Sequence, residues 1–181
     1  SKMTGMSVVC VAVIEHIRSV PLITILFMAT TMFPLFLPEG FHINKLASAI
    51  VAVCLFAAAY MAEVVRGGLQ AIPKGQYEAA EAVGLTYWQS MGFIVMPQAL
   101  KYMIPNIVSN FMGLFKDTTL VSIIGLYDLL GMINAVSQDP RWIGLHHEPL
   151  FTAAVIFFIG CFAMSKYSQH LERNLGAGHG R

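Results

Sequence analysis

The feature that most constrains this chain is a set of long apolar runs without a charged residue. These runs are residues 19–38, 46–62 and 150–165. A helix needs about 20 mostly apolar residues to cross a bilayer core, so each run is predicted to be a transmembrane span, with Pro34 kinking the first near its far end. The alternative, buried helices of a soluble protein, requires more polar surface than the chain has, since 12% of its 181 residues are charged and soluble domains carry about 25%.

The remaining spans are less clearly marked. Residues 3–14 are too few to cross a bilayer, so they are interpreted as the end of a spanning helix whose beginning is missing, and the chain as a fragment. A helix from about residue 97 to 115 spans if Lys101 snorkels to one membrane surface, although hydropathy alone leaves this open. The sequence predicts an all-α membrane protein with about five transmembrane helices, the first truncated, in a single domain of residues 1–175 followed by a flexible tail, 176–181.

Basic residues are distributed unequally over the predicted connections. If the connection at residues 67–92 is cytoplasmic, most of them lie on or near the cytoplasmic side: Arg18, Arg66, Lys74, Lys101, Lys166, Arg173 and Arg181. The opposite side has Lys45 and Arg141, together with acidic residues. Because positive residues favour the cytoplasmic side of a membrane, this distribution predicts a cytoplasmic C-terminus.

The connection at residues 70–97 is predicted to form two short helices rather than a loop. Pro73 ends the preceding span. Residues 76–83 then start a new helix, because they are good helix formers and share a small apolar face. Gly84 is expected to end this first helix in the left-handed conformation. It is also expected to be packed, with no room for a side chain.

The second short helix has a clear start signal. Thr86 followed three residues later by Gln89 is a capping-box signature. A helix–glycine–helix elbow, with alanines that permit close approach, is typical of a docking surface for another protein. An ordinary interhelical loop is the alternative that these residues leave open.

The elbow resembles the EAA motif of the permeases of bacterial ABC importers. That motif consists of Glu-Ala-Ala, three residues, Gly, nine residues and then Ile-x-Leu-Pro, and the matching residues here are Glu78, Ala79, Ala80, Gly84, Ile94 and Pro97. Met96 stands where the family usually has Leu, a conservative apolar exchange. The resemblance implies a MetI-like permease core. It also implies that the elbow, residues 75–96, is a cytoplasmic coupling element docked on a dimer of ABC ATPase subunits that binds the ATP.

The residues around the elbow resemble amino-acid permeases in particular. Residues 62–68, 74–77 and 116–122 are similar to polar amino-acid permeases, and residues 34–40 and 165–173 to the general L-amino-acid branch. The resemblance therefore implies a multi-pass subunit of the bacterial inner membrane that moves L-amino acids from periplasm to cytoplasm by alternating access. It implies a second permease subunit and a periplasmic amino-acid-binding protein as further partners, and no cofactor bound by this chain.

Apolar sequence near the predicted outer half of the membrane is interrupted by Lys116, Asp117, Thr118 and Thr119. Charges at membrane depth are costly unless they face protein or water, so this segment is a candidate functional site. Thr118 or Thr119 is expected to cap a new helix over residues 120–130, whose positive N-terminus suits an amino-acid carboxylate. A structural hinge with a Lys116–Asp117 pair is the open alternative. Similar permeases line the substrate path here, and the resemblance extends this path to Ser122.

Metal binding is not predicted. Each of the three cysteines lies in an apolar run without ligand spacing, so Cys10, Cys54 and Cys161 are predicted to be small buried residues. The run His146, His147 and Glu148 lacks a further ligand at a sensible spacing. It is assigned to a solvated outer loop.

Other function classes are less well supported by the sequence. No GxxxxGK[ST], GxSxG or HExxH motif occurs, so the chain is predicted to be a transport subunit without enzymatic activity of its own. A formal net charge of +1 offers no basic field for nucleic acid. The alternative function is an autonomous channel or secondary transporter of small polar solutes, but such a carrier has no need for a docking elbow.

Overall fold

All regular structure in the computed structural model is helical over the residues that it describes, which are 2–38, 43–142, 144 and 147–176. Shorter π and 3-10 segments join the α-helices of this described part, which are α1 (Lys2–Ser19), α2 (Leu22–Phe27), α3 (Lys45–Gln70), α4 (Lys74–Ala82), α5 (Tyr87–Ser90), α6 (Met96–Asp117), α7 (Leu129–Ser137) and α8 (His147–Gly176). The predicted all-α fold class is confirmed. The tail is described only at residue 176, which ends α8, and residues 177–181 lie outside the described ranges.

The chain divides into two compact units. One unit consists of residues 1–60 and 113–161, and the other of residues 61–112 and 162–181. The boundaries between them fall within the long helices α3, α6 and α8. The single domain predicted for residues 1–175 stays a prediction.

The first apolar run is bent sharply at its start. The arms Ser7–Ser19 and Leu22–Phe36 meet at 94°, and Pro21 occupies the N-cap of α2 with an extended ψ of 140°. Proline disfavours helical backbone in the residue before it, so α1 stops at Ser19. The sequence did not predict this bend, since the kink predicted at Pro34 lies near the other end of the run. At Pro34 the helix instead tightens into a 3-10 turn.

Three helices of the described residues are long and apolar enough to cross a membrane: Lys45–Gln70, Tyr87–Ile124 and His147–Asn174. The bent pair adds a fourth if it is counted as one broken span. The sequence predicted about five because it counted the two arms of this pair separately. Each long helix also extends past its predicted apolar run, because helical hydrogen bonding continues through polar residues beyond the hydrocarbon.

Each unit has a small core of its own. In the first unit, the arm after the bend packs on the start of α3 and on the 3-10 segment Thr118–Ile124, burying Leu22, Leu26, Ala49, Ala52 and Ile124. In the second, the end of α3 packs on the start of α6, burying Ile72, Val95, Ala99 and Met103. Many large apolar side chains of the long helices are exposed, which fits the prediction that these helices lie in lipid.

Exposure corrects the prediction for the cysteines. Cys10 and Cys54 are exposed, and Cys161 is half-buried. A thiol in an apolar run was expected to face a protein interior, but in a membrane helix the apolar surface also faces outward. The prediction of buried thiols is therefore wrong.

Two glycines allow helices to approach closely. A Cβ built on Gly68 of α3 would lie 3.3 Å from the carbonyl oxygen of Ala99 and would overlap the side chain of Met103. A Cβ built on Gly160 of α8 would lie 2.8 Å from Cε1 of Phe115. Small residues at such crossings are typical of membrane helix packing, where van der Waals contact drives association.

Candidate functional site

The elbow begins with a clean helix start. Helix α3 ends at Gln70, and Pro73 precedes α4 with φ −59° and ψ 138°. The backbone N–H of Gln76 donates to the carbonyl oxygen of Pro73 at 3.0 Å, which forms the first turn. The structure confirms the prediction that a new helix starts after Pro73.

Gly84 closes this helix in the left-handed conformation, with φ +79°. The N–H of Leu85 donates to the carbonyl oxygen of Ala80 at 3.1 Å, and the N–H of Gly84 donates to that of Glu81 at 2.9 Å. These two bonds make a Schellman motif, which satisfies the last carbonyls of the helix. The predicted conformation of Gly84 is therefore confirmed. The expected packing is wrong, because a Cβ built there meets no atom within 4 Å.

The second helix starts where the capping box predicts. Oε1 of Gln89 accepts hydrogen bonds from the backbone N–H and from the hydroxyl of Thr86, both at 2.9 Å. The helix does not stay short, however. It continues through the π-helical segment Met91–Val95 into α6 and forms part of the single run Tyr87–Ile124. The elbow therefore consists of one short helix joined through Gly84 to a long one.

Pro97 is the second residue of α6, which follows the π-helical segment. Proline inside an α-helix lacks a donor and clashes with the carbonyl four residues earlier. A π turn changes the backbone spacing at that point, and such turns are frequent at functional sites. Ile94 lies within the π turn and is half-buried, whereas Pro97 is exposed. The two last residues of the motif thus mark the entry into the long helix.

The two alanines of the motif face opposite ways. Ala80 has no exposed surface, and α4 packs against the Met91–Val95 segment. Ala79 is exposed, as is Glu78. Ala80 therefore packs α4 against the Met91–Val95 segment. Glu78, Ala79 and Gly84 face outward.

A polar contact fastens the elbow to the long helix. Nε2 of Gln98 donates to Oε1 of Gln76 at 3.0 Å and to the carbonyl oxygen of Ile94 at 2.9 Å. Gln98 therefore ties α4 and the π turn to the first turns of α6. Neither glutamine was singled out from the sequence, because a contact between residues 22 positions apart leaves no local pattern.

Sequence reasoning also missed part of the outward surface. Val83 is 74% exposed and Tyr87 is 65% exposed, on either side of the glycine turn. Trp88 is 79% exposed and contacts the Tyr87 ring edge-on at a centroid distance of 5.3 Å. These three side chains with Glu78, Ala79 and Gly84 form what we call the elbow face. The sequence signal for this surface was a pair of adjacent aromatic residues beside a connection that was predicted to lie outside the membrane.

The Lys116–Ser122 segment differs from its prediction. No α-helix begins at Thr118 or Thr119, because α6 passes into the 3-10 segment Thr118–Ile124 without a break. Their hydroxyls donate to the carbonyl oxygens three residues earlier, at 2.8 and 2.9 Å, and the hydroxyl of Ser122 does the same at 2.8 Å. The expected helix N-terminus at this point is wrong.

The next α-helix starts later, at Leu129. Oδ1 of Asp128 accepts from the N–H of Gly131 at 2.8 Å, so Asp128 is the cap of α7. Since a 3-10 stretch within a long helix often marks a hinge, the hinge interpretation of Lys116–Ser122 remains open. Lys116 and Thr118 are exposed, whereas Asp117, Thr119 and Ser122 are half-buried.

Metal-ligating side chains do not cluster in the described ranges, where no three His, Cys, Asp or Glu residues come together. His147 and Glu148 lie in the first turn of α8 rather than in an outer loop, because the helix starts earlier than its apolar run. His146 lies outside the described residues.

Comparison with known proteins decides the family. The sequence pattern of the family described as "Binding-protein-dependent transport system inner membrane component" matches residues 7–176. The chain belongs to this family. The family resemblance predicted from the elbow motif is thereby confirmed.

The permease is similar to curated amino-acid ABC transporter permeases. It is 52% identical over 98% of its length to the inner membrane amino-acid ABC transporter permease protein YhdY of Escherichia coli (strain K12), of which it covers 48%. It is 54% identical over 93% of its length to the glutamate/glutamine/aspartate/asparagine transport system permease protein BztC of Rhodobacter capsulatus, of which it covers 39%. The permease chain thus spans half or less of the length of these relatives.

Solved structures agree on the fold. The permease superimposes with a TM-score of 0.82, at 29% identity, on a chain from an amino acid ABC transporter crystallised with histidines, over 96% of this chain and 78% of the other. The MetNI methionine ABC transporter in inward-facing conformations gives a TM-score of 0.72 at 24% identity, over 91% and 73%. The second likeness shows the fold alone, and together they confirm the predicted MetI-like fold.

Proposed function

We propose that this permease is the transmembrane subunit of an ATP-driven importer that moves L-amino acids from periplasm to cytoplasm by alternating access. Its partners are a cytoplasmic dimer of ABC ATPase subunits, a second permease subunit and a periplasmic amino-acid-binding protein. The ATPase subunits bind and hydrolyse the ATP, so this chain needs no cofactor. The unequal distribution of basic residues along the sequence supports an orientation with the elbow and the C-terminus in the cytoplasm.

The observation that carries this proposal is the two-sided construction of the elbow. Its inner side is anchored, since Ala80 is fully buried and Gln76 is hydrogen-bonded to Gln98. Its outer side, the elbow face, presents Ala79 together with apolar side chains such as Val83. Exposed aromatic and apolar residues at a rigid projection are the usual anchors of a protein interface. An ordinary interhelical loop needs neither side.

The same construction supports mechanical coupling. The anchored helix α4 contacts the beginning of the run Tyr87–Ile124, which is 38 residues long. The part of this run that lies in the second unit, from Tyr87 to Met112, measures about 39 Å at 1.5 Å per residue, longer than the roughly 30 Å of a bilayer core. An ATPase that moves the elbow face therefore moves a helix that reaches across the membrane, which is the movement that alternating access requires.

Amino acids are the substrates best supported by the relatives. The name of BztC gives glutamate, glutamine, aspartate and asparagine for that protein. In this permease, Lys116, Asp117, Thr118, Thr119 and Ser122 remain the proposed substrate path in the outer half. The exposed Lys116 is suited to a carboxylate, and each threonine oxygen can still accept a hydrogen bond.

Two adjacent alanines provide a test with a built-in control. Ala79→Trp adds bulk only to the exposed elbow face, so the permease should keep its thermal unfolding midpoint but lose co-purification of the ATPase subunits and ATP-dependent uptake. Ala80→Trp overfills a buried position, which costs about 1–3 kcal/mol, so it should lower the unfolding midpoint of the permease itself. Both variants are made in the full-length protein with its partner subunits.

The outcomes separate the two candidate functions. ATP-dependent amino-acid uptake by the wild type that Ala79→Trp abolishes, without loss of permease stability, supports coupling through the elbow face. Unchanged uptake and ATPase retention in Ala79→Trp would contradict it. Wild-type transport that needs neither ATP nor any ATPase subunit would instead identify an autonomous channel or secondary transporter.

A further inference from the structure

Helix α1 meets the chain that follows it nearly at a right angle. The arms Ser7–Ser19 and Leu22–Phe36 enclose 94°, and both belong to the first compact unit. The second arm packs on the start of α3 and buries Leu22 and Leu26 there. Helix α3 is long and apolar enough to cross a membrane, so the direction of the second arm relative to α3 decides how α1 lies in the bilayer.

The second arm and α3 run side by side. An apolar groove of about 670 Å³ lies between them, and its lining extends from Ile25 to Phe36 on the arm and from Ala47 to Phe56 on α3. At 1.5 Å per residue, each of these stretches measures about 14–17 Å. Two helices that line one groove over this length share a direction. If α3 crosses the membrane, the second arm does too, and α1 then lies close to the membrane plane.

The end of α1 lies across α3, with different neighbours on its two sides. Ile17 and, just after the helix, Val20 line the groove together with Phe56. Arg18 contacts Tyr60, with Cζ 5.0 Å from the centre of the ring. Tyr60 follows Phe56 by about one helical turn in the direction of the elbow. The side of α1 that bears Ile17 therefore faces the groove, and the side that bears Arg18 faces the end of α3 that leads to the elbow.

This crossing lies where the predicted span of α3 ends. The apolar run 46–62 stops shortly after Tyr60, and Glu63 and Arg66 follow it. Tyrosine is enriched where a membrane meets water, and a guanidinium group over its ring stays at the level of the headgroups. The end of α1 thus belongs to the membrane surface on the elbow side, which the distribution of basic residues predicts to be cytoplasmic.

Helix α1 has an apolar face and a polar face. At 100° per residue, each face covers an arc of about 80°, and the two arcs are centred about 160° apart. The apolar face consists of Val9, Val13 and Ile17. The polar face consists of Ser7, Glu15 and Arg18, with the half-buried Val11 among them. Because Ile17 borders the groove and Arg18 lies on the other side, the apolar face is turned toward hydrocarbon and the polar face toward water.

We propose that α1 is an interfacial helix that lies flat on the membrane and binds the phospholipids of the leaflet on the elbow side. Its apolar face enters the acyl-chain region, and its polar face stays at the level of the headgroups and water. The apolar face is open for such contact, since Val9 is 62% and Val13 is 52% exposed. Residues 3–14 were interpreted from the sequence as the end of a spanning helix, and the proposal assigns them to the membrane surface instead.

Phospholipid fits this surface better than a second protein chain. The apolar face of α1 continues into the open groove beside the second arm. A straight helix cannot cover both arms of a 94° corner at once, whereas flexible acyl chains can fill it. The polar face carries one acidic and one basic residue, Glu15 and Arg18, so neutral lipids are expected to bind as well as anionic ones. The inference does not depend on what the permease transports.

The depth of single spin labels in the membrane tests this inference. In the full-length permease with its partner subunits, Cys10, Cys54 and Cys161 are replaced by Ala, and Val8→Cys or Val9→Cys carries a nitroxide label. These adjacent valines are a matched pair, since they are 63% and 62% exposed and lie about 100° apart on the helix. The complexes are reconstituted in vesicles of neutral phospholipid. Collisions of each label with oxygen, which prefers the bilayer, and with a water-soluble nickel chelate then give its depth.

The label at Val9→Cys is expected to lie about 8 Å deeper than the label at Val8→Cys. Side chains lie about 5–6 Å from the axis of a helix, and the two positions point about 40° and 140° away from the centre of the apolar face. A crossing helix would separate adjacent residues by about 1.5 Å in depth. The pair Ser7→Cys and Glu15→Cys gives the opposite contrast, because their depths should differ by about 2–3 Å in a flat helix and by about 12 Å in a crossing one.

Similar depths at Val8 and Val9, together with a difference of about 12 Å between Ser7 and Glu15, would overturn the inference, because α1 would then cross the bilayer. So would labels at both valines that collide freely with the nickel chelate, or that are shielded from both reagents, since α1 would then lie in water or against another subunit. An impermeant charged maleimide tests the side of the membrane. In sealed vesicles of one orientation it should reach Glu15→Cys and Lys74→Cys, at the start of α4, from the same face, and reaction from opposite faces would contradict the assignment.

Discussion

The packing of α3 on α6 can be tested with two neighbouring glycines. Gly68 is buried, and its added Cβ would lie 3.3 Å from the backbone oxygen of Ala99 and within the side chain of Met103. Gly67, one residue earlier in the same helix, is exposed and has no atom within 4 Å of an added Cβ. Gly68→Ala and Gly67→Ala are therefore the same chemical change in packed and in open surroundings.

The expected magnitude follows from the comparison. Replacing a helical glycine by alanine favours the helix by about 1 kcal/mol, and this gain is common to both variants. The close contact is met only at Gly68, where overfilling a packed site costs about 1–3 kcal/mol. We therefore expect Gly68→Ala to be less stable than Gly67→Ala by about 1–3 kcal/mol.

Thermal unfolding of the detergent-solubilised permease measures this difference. For a chain of this size, 1 kcal/mol corresponds to a shift of about 2–4 °C, so the midpoint of Gly68→Ala should lie about 2–12 °C below that of Gly67→Ala. Met103→Ala in the Gly68→Ala background should recover part of the loss, since it removes the flexible side chain in the way. Equal midpoints for the two glycine variants would refute this account of the helix crossing.

The elbow and the middle of α8 allow two further predictions. Gly84→Ala should destabilise the permease by about 1–2 kcal/mol relative to Gly75→Ala, because both positions are spatially open and only Gly84 requires a left-handed backbone, which costs an alanine this much. A difference near zero in the thermal midpoints would contradict the Schellman assignment. Gly160→Ala should lower the midpoint through its contact with Phe115, and Phe115→Leu in the same chain should restore part of it. A loss in Gly160→Ala that Phe115→Leu leaves unchanged would argue against this contact.

Some parts of the structure were predictable because they depend on short stretches of chain. The restart after Pro73, the left-handed Gly84 and the helix start at Thr86 all follow from backbone preferences within one helical turn. The EAA pattern identified the family on residues whose spacing alone is specific. The apolar runs predicted helical spans, since lipid accepts only backbone that satisfies its own hydrogen bonds.

Other expectations failed where the outcome depended on the direction of a side chain or on residues distant in the sequence. The sharp bend at Pro21 was not expected, because several prolines in one apolar run do not reveal which of them bends the helix most. Thr118 and Thr119 looked like helix caps, but their hydroxyls bond back into a continuing helix. Cys54 looked buried because its neighbours are apolar, yet its helix face is turned outward.

The sequence by itself predicted membrane-spanning helices, a helix–glycine–helix elbow and membership of the permeases of ABC transporters. Those conclusions need only the composition of the chain, the length of its apolar runs and the spacing of the motif residues. The tertiary structure alone decided that Ala80 anchors the elbow while Ala79 faces outward, and that Gln76 bonds to Gln98. The physical reason is that hydropathy measures whether a residue avoids water, whereas function depends on which neighbour each side of a helix meets.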